Sequence, residues 1–204
     1  MEKGRNLSNR KTTTRALTES ALLVAVATVL SLFKLAQWTY GGSVTFGSMI
    51  PIILISLKYP FGWALTTSVA YSLIQMLTGF YAPPVENLLN YSLMILLDYV
   101  VAFGVLCLAG PIYKKLSTNL PIRVRMMAAV IFCFVLRFLC HFVSGIIIWS
   151  PYAHEGQSAW LYSLGYNAPY MLAECVISGA IVLIAGQMLL SIFLDDKQKI
   201  RAAT

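Results

Sequence analysis

The chain has 204 residues, 58% of them hydrophobic and only 11% charged, against roughly 45–50% apolar and about 25% charged residues in water-soluble domains. This excludes an ordinary soluble domain, because the surplus apolar surface needs lipid to face. The formal net charge of +7 does not indicate nucleic acid, since the basic residues gather at the chain ends and in short loops rather than in a stripe with interleaved aromatics.

Residues 1–15 are polar and hold Lys3, Arg5, Arg10, Lys11 and Arg15, which reads as a cytoplasmic tail. The apolar run that follows is too long for a signal-peptide core, contains Lys34 and lacks a convincing A-x-A cleavage site, so it is expected to stay as the first helix. A helix needs about 20 apolar residues to cross the hydrocarbon, and such runs predict spans at 16–36, 61–82, 88–110, 126–149 and 168–194. A shorter run at 41–57, interrupted by Pro51, predicts a tilted or kinked second span. Only Lys58, Tyr59 and Pro60 separate it from the third, which forces a tight helical hairpin. The expected architecture is an all-α integral membrane protein: one six-helix transmembrane domain over 16–194, between tails at 1–15 and 195–204.

Orientation follows from Lys and Arg. With six spans, the amino-terminal tail, Lys58, the loop with Lys114, Lys115, Arg123 and Arg125, and the carboxy-terminal Lys197, Lys199 and Arg201 all fall on one side. The positive-inside rule makes that side, with both termini, cytoplasmic. Lys34, near the outer end of the first helix, is expected to snorkel to the interface, while Arg137 lies near the middle of the fifth span. Cys107, Cys133, Cys140 and Cys175 sit in apolar runs without metal-ligand spacing and read as small core residues.

On the outer side, residues 37–46 (QWTYGGSVTF) form a polar loop. Residues 150–166 (SPYAHEGQSAWLYSLGY) are rich in aromatics and long enough for a lid. An interfacial aromatic belt accounts for single members of this set. In the fifth span Arg137, His141, Gly145 and Trp149 recur every four residues and form one stripe. Gly145 leaves a gap between large side chains, open either to a ligand or to close helix packing. Asp98 is a carboxylate inside the fourth span and needs a partner. Two roles are open to it: pairing with Arg137, or acting as counter-ion to a cationic ligand. Asn167 is expected to begin the sixth helix, as an N-cap or as a pocket residue, with Tyr170 and Glu174 on its face. Aromatic planes, a carboxylate, an imidazole and an amide suit a flat organic cation. No Ser-His-Asp order, H-E-x-x-H or P-loop is present, so the reading is of binding without catalysis and without its own ATP hydrolysis.

The stretches GGSVTFGSMIPI, LLDYVVAF, LRFLCHFVSGIIIWSPYAHEG and LYSLGYNAPYM resemble the ThiT family, the thiamine-specific substrate-binding (S) subunits of energy-coupling-factor (ECF) transporters. The resemblance runs from the first helix to the sixth. It implies a six-helix protein of the bacterial cell membrane that captures thiamine from outside. Its partners would be a membrane coupling subunit and two cytoplasmic ATPases, and it would carry no cofactor of its own. It further implies that Trp38 stacks on the ligand and that Asp98 and Tyr99 match the acidic motif. His141, Gly145, Trp149, Tyr162, Ser158 and Asn167 would complete the site, with Tyr81 as the tyrosine of the segment between the third and fourth helices. The shorter Asp98, where the family also uses Glu, bears on pairing geometry. Ala21 and Ala25, an A-x-x-x-A pair that allows close helix approach, correspond to the family's face toward the coupling subunit. Competing readings are an S subunit for another vitamin such as riboflavin, a solitary proton-coupled carrier using Asp98 and Glu174, and an intramembrane enzyme using His141 and Asp98.

Overall fold

The computed structural model describes residues 2–193, with side chains from residue 13 onward. The predicted tail at 195–204 lies outside the described residues. Six helices form the bundle: α1 (Glu2–Leu32), α2 (Ile50–Lys58), α3 (Phe61–Thr78), α4 (Leu88–Lys115), α5 (Ile122–Ile147) and α6 (Ala159–Phe193). Between α1 and α2 the chain makes a small antiparallel hairpin of β1 (Lys34–Gln37) and β2 (Ser43–Thr45). Among the described residues, four stretches are long and apolar enough to cross a membrane: Thr13–Leu32 of α1, and α4, α5 and α6.

Several boundaries depart from the sequence expectation. Helix α1 begins at Glu2, so residues 2–15 continue the same helix as the first span rather than forming a separate segment. It stops at Leu32, and Lys34 lies in β1 instead of snorkelling from a helix end. The run 41–57 is not one kinked span. Its first part is turn, strand and loop, and only nine residues form α2, about 13 Å at 1.5 Å per residue. Pro51 stands in the first turn of α2, where a missing N–H costs nothing, so it starts the helix rather than bending it. The turn Lys58–Pro60 is as tight as expected, with α3 starting at Phe61.

All nine α2 residues are buried; the other helices wrap it. Ser56 Oγ donates to the Cys107 carbonyl (2.6 Å) and accepts from Gly110 N (2.8 Å), fastening α2 to α4. Helix α1 turns Ala16, Ser20, Leu23, Ala27 and Ser31 inward and leaves Leu17, Ala21, Leu22, Ala25 and Val29 exposed. A polar ladder joins it to α3: Trp63 Nε1 to Ser20 Oγ (2.9 Å), Tyr71 hydroxyl to Ala27 O (3.4 Å) and Gln75 Nε2 to Ser31 Oγ (2.9 Å). At the end of the bundle away from the hairpin, the Glu19 carboxylate accepts from Lys58 Nζ (2.6 Å), the Tyr59 hydroxyl (2.6 Å) and Arg15 Nε (2.7 Å). The guanidinium of Arg125, counted above as a loop charge, is buried against the Tyr113 ring (4.2 Å). All four cysteines are free thiols, and Cys107 and Cys133 are buried in the core.

Candidate functional site

Helix α4 is irregular where the site is built. Residues Ile95–Val101 wind as a π-helix, and Val105–Leu108 as a 3₁₀ turn. Such bulges re-aim side chains and recur at functional positions. Asp98 sits in the π segment, and its side chain is 14% exposed.

Three donors from α5 and the turn after it converge on this carboxylate. His141 Nδ1 lies 2.9 Å from Oδ1; Ser144 Oγ and Trp149 Nε1 donate to Oδ2 at 2.6 and 3.0 Å. An ionised carboxylate accepts only, so His141 donates to it from Nδ1, and its Nε2 has no protein partner among the described residues. Arg137 does not pair with Asp98. Its guanidinium lies over the Phe103 ring (3.9 Å), and Nη1 reaches Met49 Sδ (3.1 Å). Of the two roles open to Asp98, the pairing with Arg137 is therefore not made, because Arg137 is committed to the start of α2.

A cavity of about 390 Å³ lies between the hairpin, the Leu32 end of α1 and helices α3 to α6, within the size range of small-molecule sites. Asp98, Tyr99, His141, Gly145, Trp149, Tyr162, Asn167 and Tyr81 all line it, as do Arg137 and Glu174. The four-residue stripe on α5 thus faces one space.

Two expected residues do not reach this wall. Trp38 is half-buried with its ring tilted on Tyr170 (5.9 Å, 52°), because the turn from Trp38 to Gly42 hands the wall to Tyr40. Ser158 is exposed, and its carbonyl accepts from Tyr162 N at the start of α6.

Two residues play parts other than those expected. Asn167 is inside α6, not at its start. Its amide donates to the His141 carbonyl (3.2 Å) and to Ser163 O (3.0 Å), and Oδ1 accepts from the Tyr170 hydroxyl (2.6 Å). The gap at Gly145 is filled by α6: a Cβ there would overlap the Ser163 side chain and crowd Asn167. Close helix packing, rather than an opening for a ligand, explains that glycine.

The expected lid at 150–166 is mostly helix. A 3₁₀ turn covers Ser150–Tyr152, and α6 starts at Ala159. The cover over the cavity is the hairpin. The Tyr166 hydroxyl accepts from Tyr40 N (3.0 Å) and Gly42 N (3.3 Å), and the Tyr40 ring stacks on Tyr152 (4.0 Å, 6°). Tyr81 accepts from Gln37 Nε2 (2.8 Å) and presses on Gly41, whose φ of 99° and missing Cβ allow the contact. At the hairpin's base, the Glu174 carboxylate accepts from Thr45 N.

Tyr40, Ser144 and Tyr166 were not singled out from sequence. Tyr162, Tyr166 and Tyr170 do recur every four residues, a signal readable once α6 is extended back to Ala159. No cluster of His, Cys, Asp and Glu able to hold a metal occurs among the described residues.

A family model described as "Thiamine transporter protein (Thia_YuaJ)" matches residues 17–194. The chain is 34% identical over 176 residues to the thiamine transporter ThiT of Bacillus subtilis, covering 82% of this chain and 87% of that one. It is 24% identical over 174 residues to ThiT of Lacticaseibacillus paracasei, covering 80% and 83%. Among solved structures, ThiT from Listeria monocytogenes superposes with a TM-score of 0.72 at 25% identity, over 90% of this chain and 100% of that one. The S component of a bacterial ECF transporter gives a TM-score of 0.60 at 15% identity, over 88% and 98%, a likeness of fold.

Proposed function

The chain belongs to the thiamine transporter (Thia_YuaJ) family, and from that premise we propose that it is the thiamine-binding S subunit of an ECF-type importer in the cell membrane. The observation that carries this is Asp98: a carboxylate held by three donors on the wall of an aromatic cavity. Thiamine joins an aminopyrimidine to a thiazolium cation. A preorganised carboxylate meets the positive charge, and Trp149, Tyr40, Tyr162 and Tyr166 offer planes for stacking and cation–π attraction. The unpartnered Nε2 of His141 adds a further polar contact.

The proposed topology has both termini in the cytoplasm. The exposed Lys114, Lys115 and Arg123 then lie on one side with the basic ends of the chain. Helix α2 is a half-length helix running from mid-depth to the cytoplasmic side, as its Lys58 contact with Glu19 near the start of the first span supports. Polar hairpin backbone at membrane depth is tolerated because it lines a cavity and is bonded by Tyr166 and Glu174 instead of facing lipid.

Thiamine enters at the hairpin end, on the outside. The chain has no P-loop, so capture by itself supplies no energy for accumulation. The coupling subunit and its ATPases supply that, and the exposed face of α1 with Ala21 and Ala25 is the proposed contact. No catalytic step is assigned.

The test is tryptophan fluorescence of the detergent-purified chain during thiamine titration, with riboflavin as comparison. A saturable change at micromolar thiamine, carried by Trp149, is expected. Saturation by riboflavin in place of thiamine would transfer the reading to another vitamin.

A further inference from the structure

Ser144 touches the candidate site only through Asp98. It is fully buried and absent from the cavity wall, yet its hydroxyl makes the shortest of the three bonds to the carboxylate. Its own place is rigid: the Ser144 carbonyl closes the end of α5 by accepting from Ile148 N (2.8 Å) and Trp149 N (3.4 Å).

A carboxylate offers about four lone-pair sites. Ser144 and Trp149 take two on Oδ2, and His141 takes one on Oδ1, which leaves one lone pair of Oδ1 without a protein partner. The terminal torsion of an aspartate is broad and roughly two-fold, so something must choose its setting. His141 and Trp149 both line the cavity, where a ligand can compete for their donors. Ser144 is walled in on every side.

We infer that Ser144 is a positioning residue for cation binding, locking the rotation of Asp98 so that one lone pair of Oδ1 stays available to the ligand. This rests on the reading of Asp98 as counter-charge to bound thiamine. Ser144 contributes to affinity through Asp98 alone, and its removal lets the carboxylate turn between settings of which only one meets the cation.

The test is a double-mutant cycle on the purified full chain, with thiamine as the probe: native, Ser144→Ala, Asp98→Asn and the double variant. Ser144→Ala is expected to weaken binding about ten-fold, the scale of a hydrogen bond to a charged acceptor. In the Asp98→Asn background the same change is expected to alter Kd less than about two-fold. Ser144→Cys, close in volume with a weaker donor, is expected to fall between native and Ser144→Ala, and it answers the question should the alanine variant fold poorly. Equal losses in both backgrounds would overturn the inference, since Ser144 would then act on packing at large. Native affinity in Ser144→Ala beside a weakened Asp98→Asn would overturn it and leave the counter-charge reading standing. Native affinity in Asp98→Asn would remove that reading and the inference with it.

Discussion

Replacing Asp98 by Asn changes charge while nearly conserving shape, and the bonds around it allow the cost to be worked out. The amide oxygen can take the place of Oδ2 and accept from Ser144 and Trp149, while the NH₂ faces His141. The imidazole can answer by moving its proton to Nε2 and accepting at Nδ1. Ser144 and Trp149 then keep their acceptor, so the fold survives. Three bonds to a charged acceptor become neutral ones, a loss of about 1 kcal/mol each and ~3 kcal/mol in stability. Binding suffers more. Loss of a desolvated charge partner costs roughly 2–5 kcal/mol, or about thirty-fold to several-thousand-fold in Kd. The assay is thiamine titration of the purified variant by tryptophan fluorescence, beside thermal melting in detergent without ligand. Binding within about three-fold of native would refute the argument. So would a variant that loses binding only because it no longer folds.

The other predictions read different parts of the site. Gly145→Ala drives a methyl group into Ser163 and is expected to destabilise by about 1–3 kcal/mol through overpacking of α5 on α6; an unchanged melting temperature in detergent would count against it. Among the tryptophans, Trp149→Ala is expected to lose the most affinity and Trp38→Ala less, since Trp38 acts through Tyr170. Trp63→Ala, at Ser20 near the opposite end, is expected to lose none; equal titration curves for all three would indicate general destabilisation. In vesicles, the chain alone is expected to bind labelled thiamine without accumulating it, accumulation requiring the coupling subunit, ATPases and ATP. Concentrative uptake by the chain alone under a proton gradient would instead support a solitary carrier. Ala21→Leu with Ala25→Leu is expected to abolish uptake and spare binding, because both alanines lie on the exposed face of α1; loss of both together would make them internal packing residues.

Composition and periodicity were enough to identify an apolar helical membrane protein. They also put Arg137, His141 and Gly145 on one face of α5, with Trp149 in line just past its end, because 3.6-residue periodicity is a local property. The tight turn at Lys58–Pro60 was legible for the same reason. What tertiary structure decided concerns backbone that departs from regular geometry and side chains satisfied across elements. Nothing in the run 41–57 says that Ser43–Thr45 pair as a hairpin with 34–37, since that hairpin is held in place by Tyr166 and Glu174, more than a hundred residues away. The π segment that carries Asp98 is invisible in an apolar sequence without breakers. The start of α6 was set late, at 168, whereas in the fold Ser163 is already helical and donates to the Phe142 carbonyl; the four-residue spacing of Tyr162, Tyr166 and Tyr170 was therefore split between a loop and a helix. Gly145 was open to either a ligand or close packing until α6 was placed against it. The partner of Asp98 was undecidable for the most general reason. A buried charge must be satisfied, but which of Arg137, His141, Ser144 and Trp149 satisfies it depends on where α4 and α5 cross, and only the folded chain determines that.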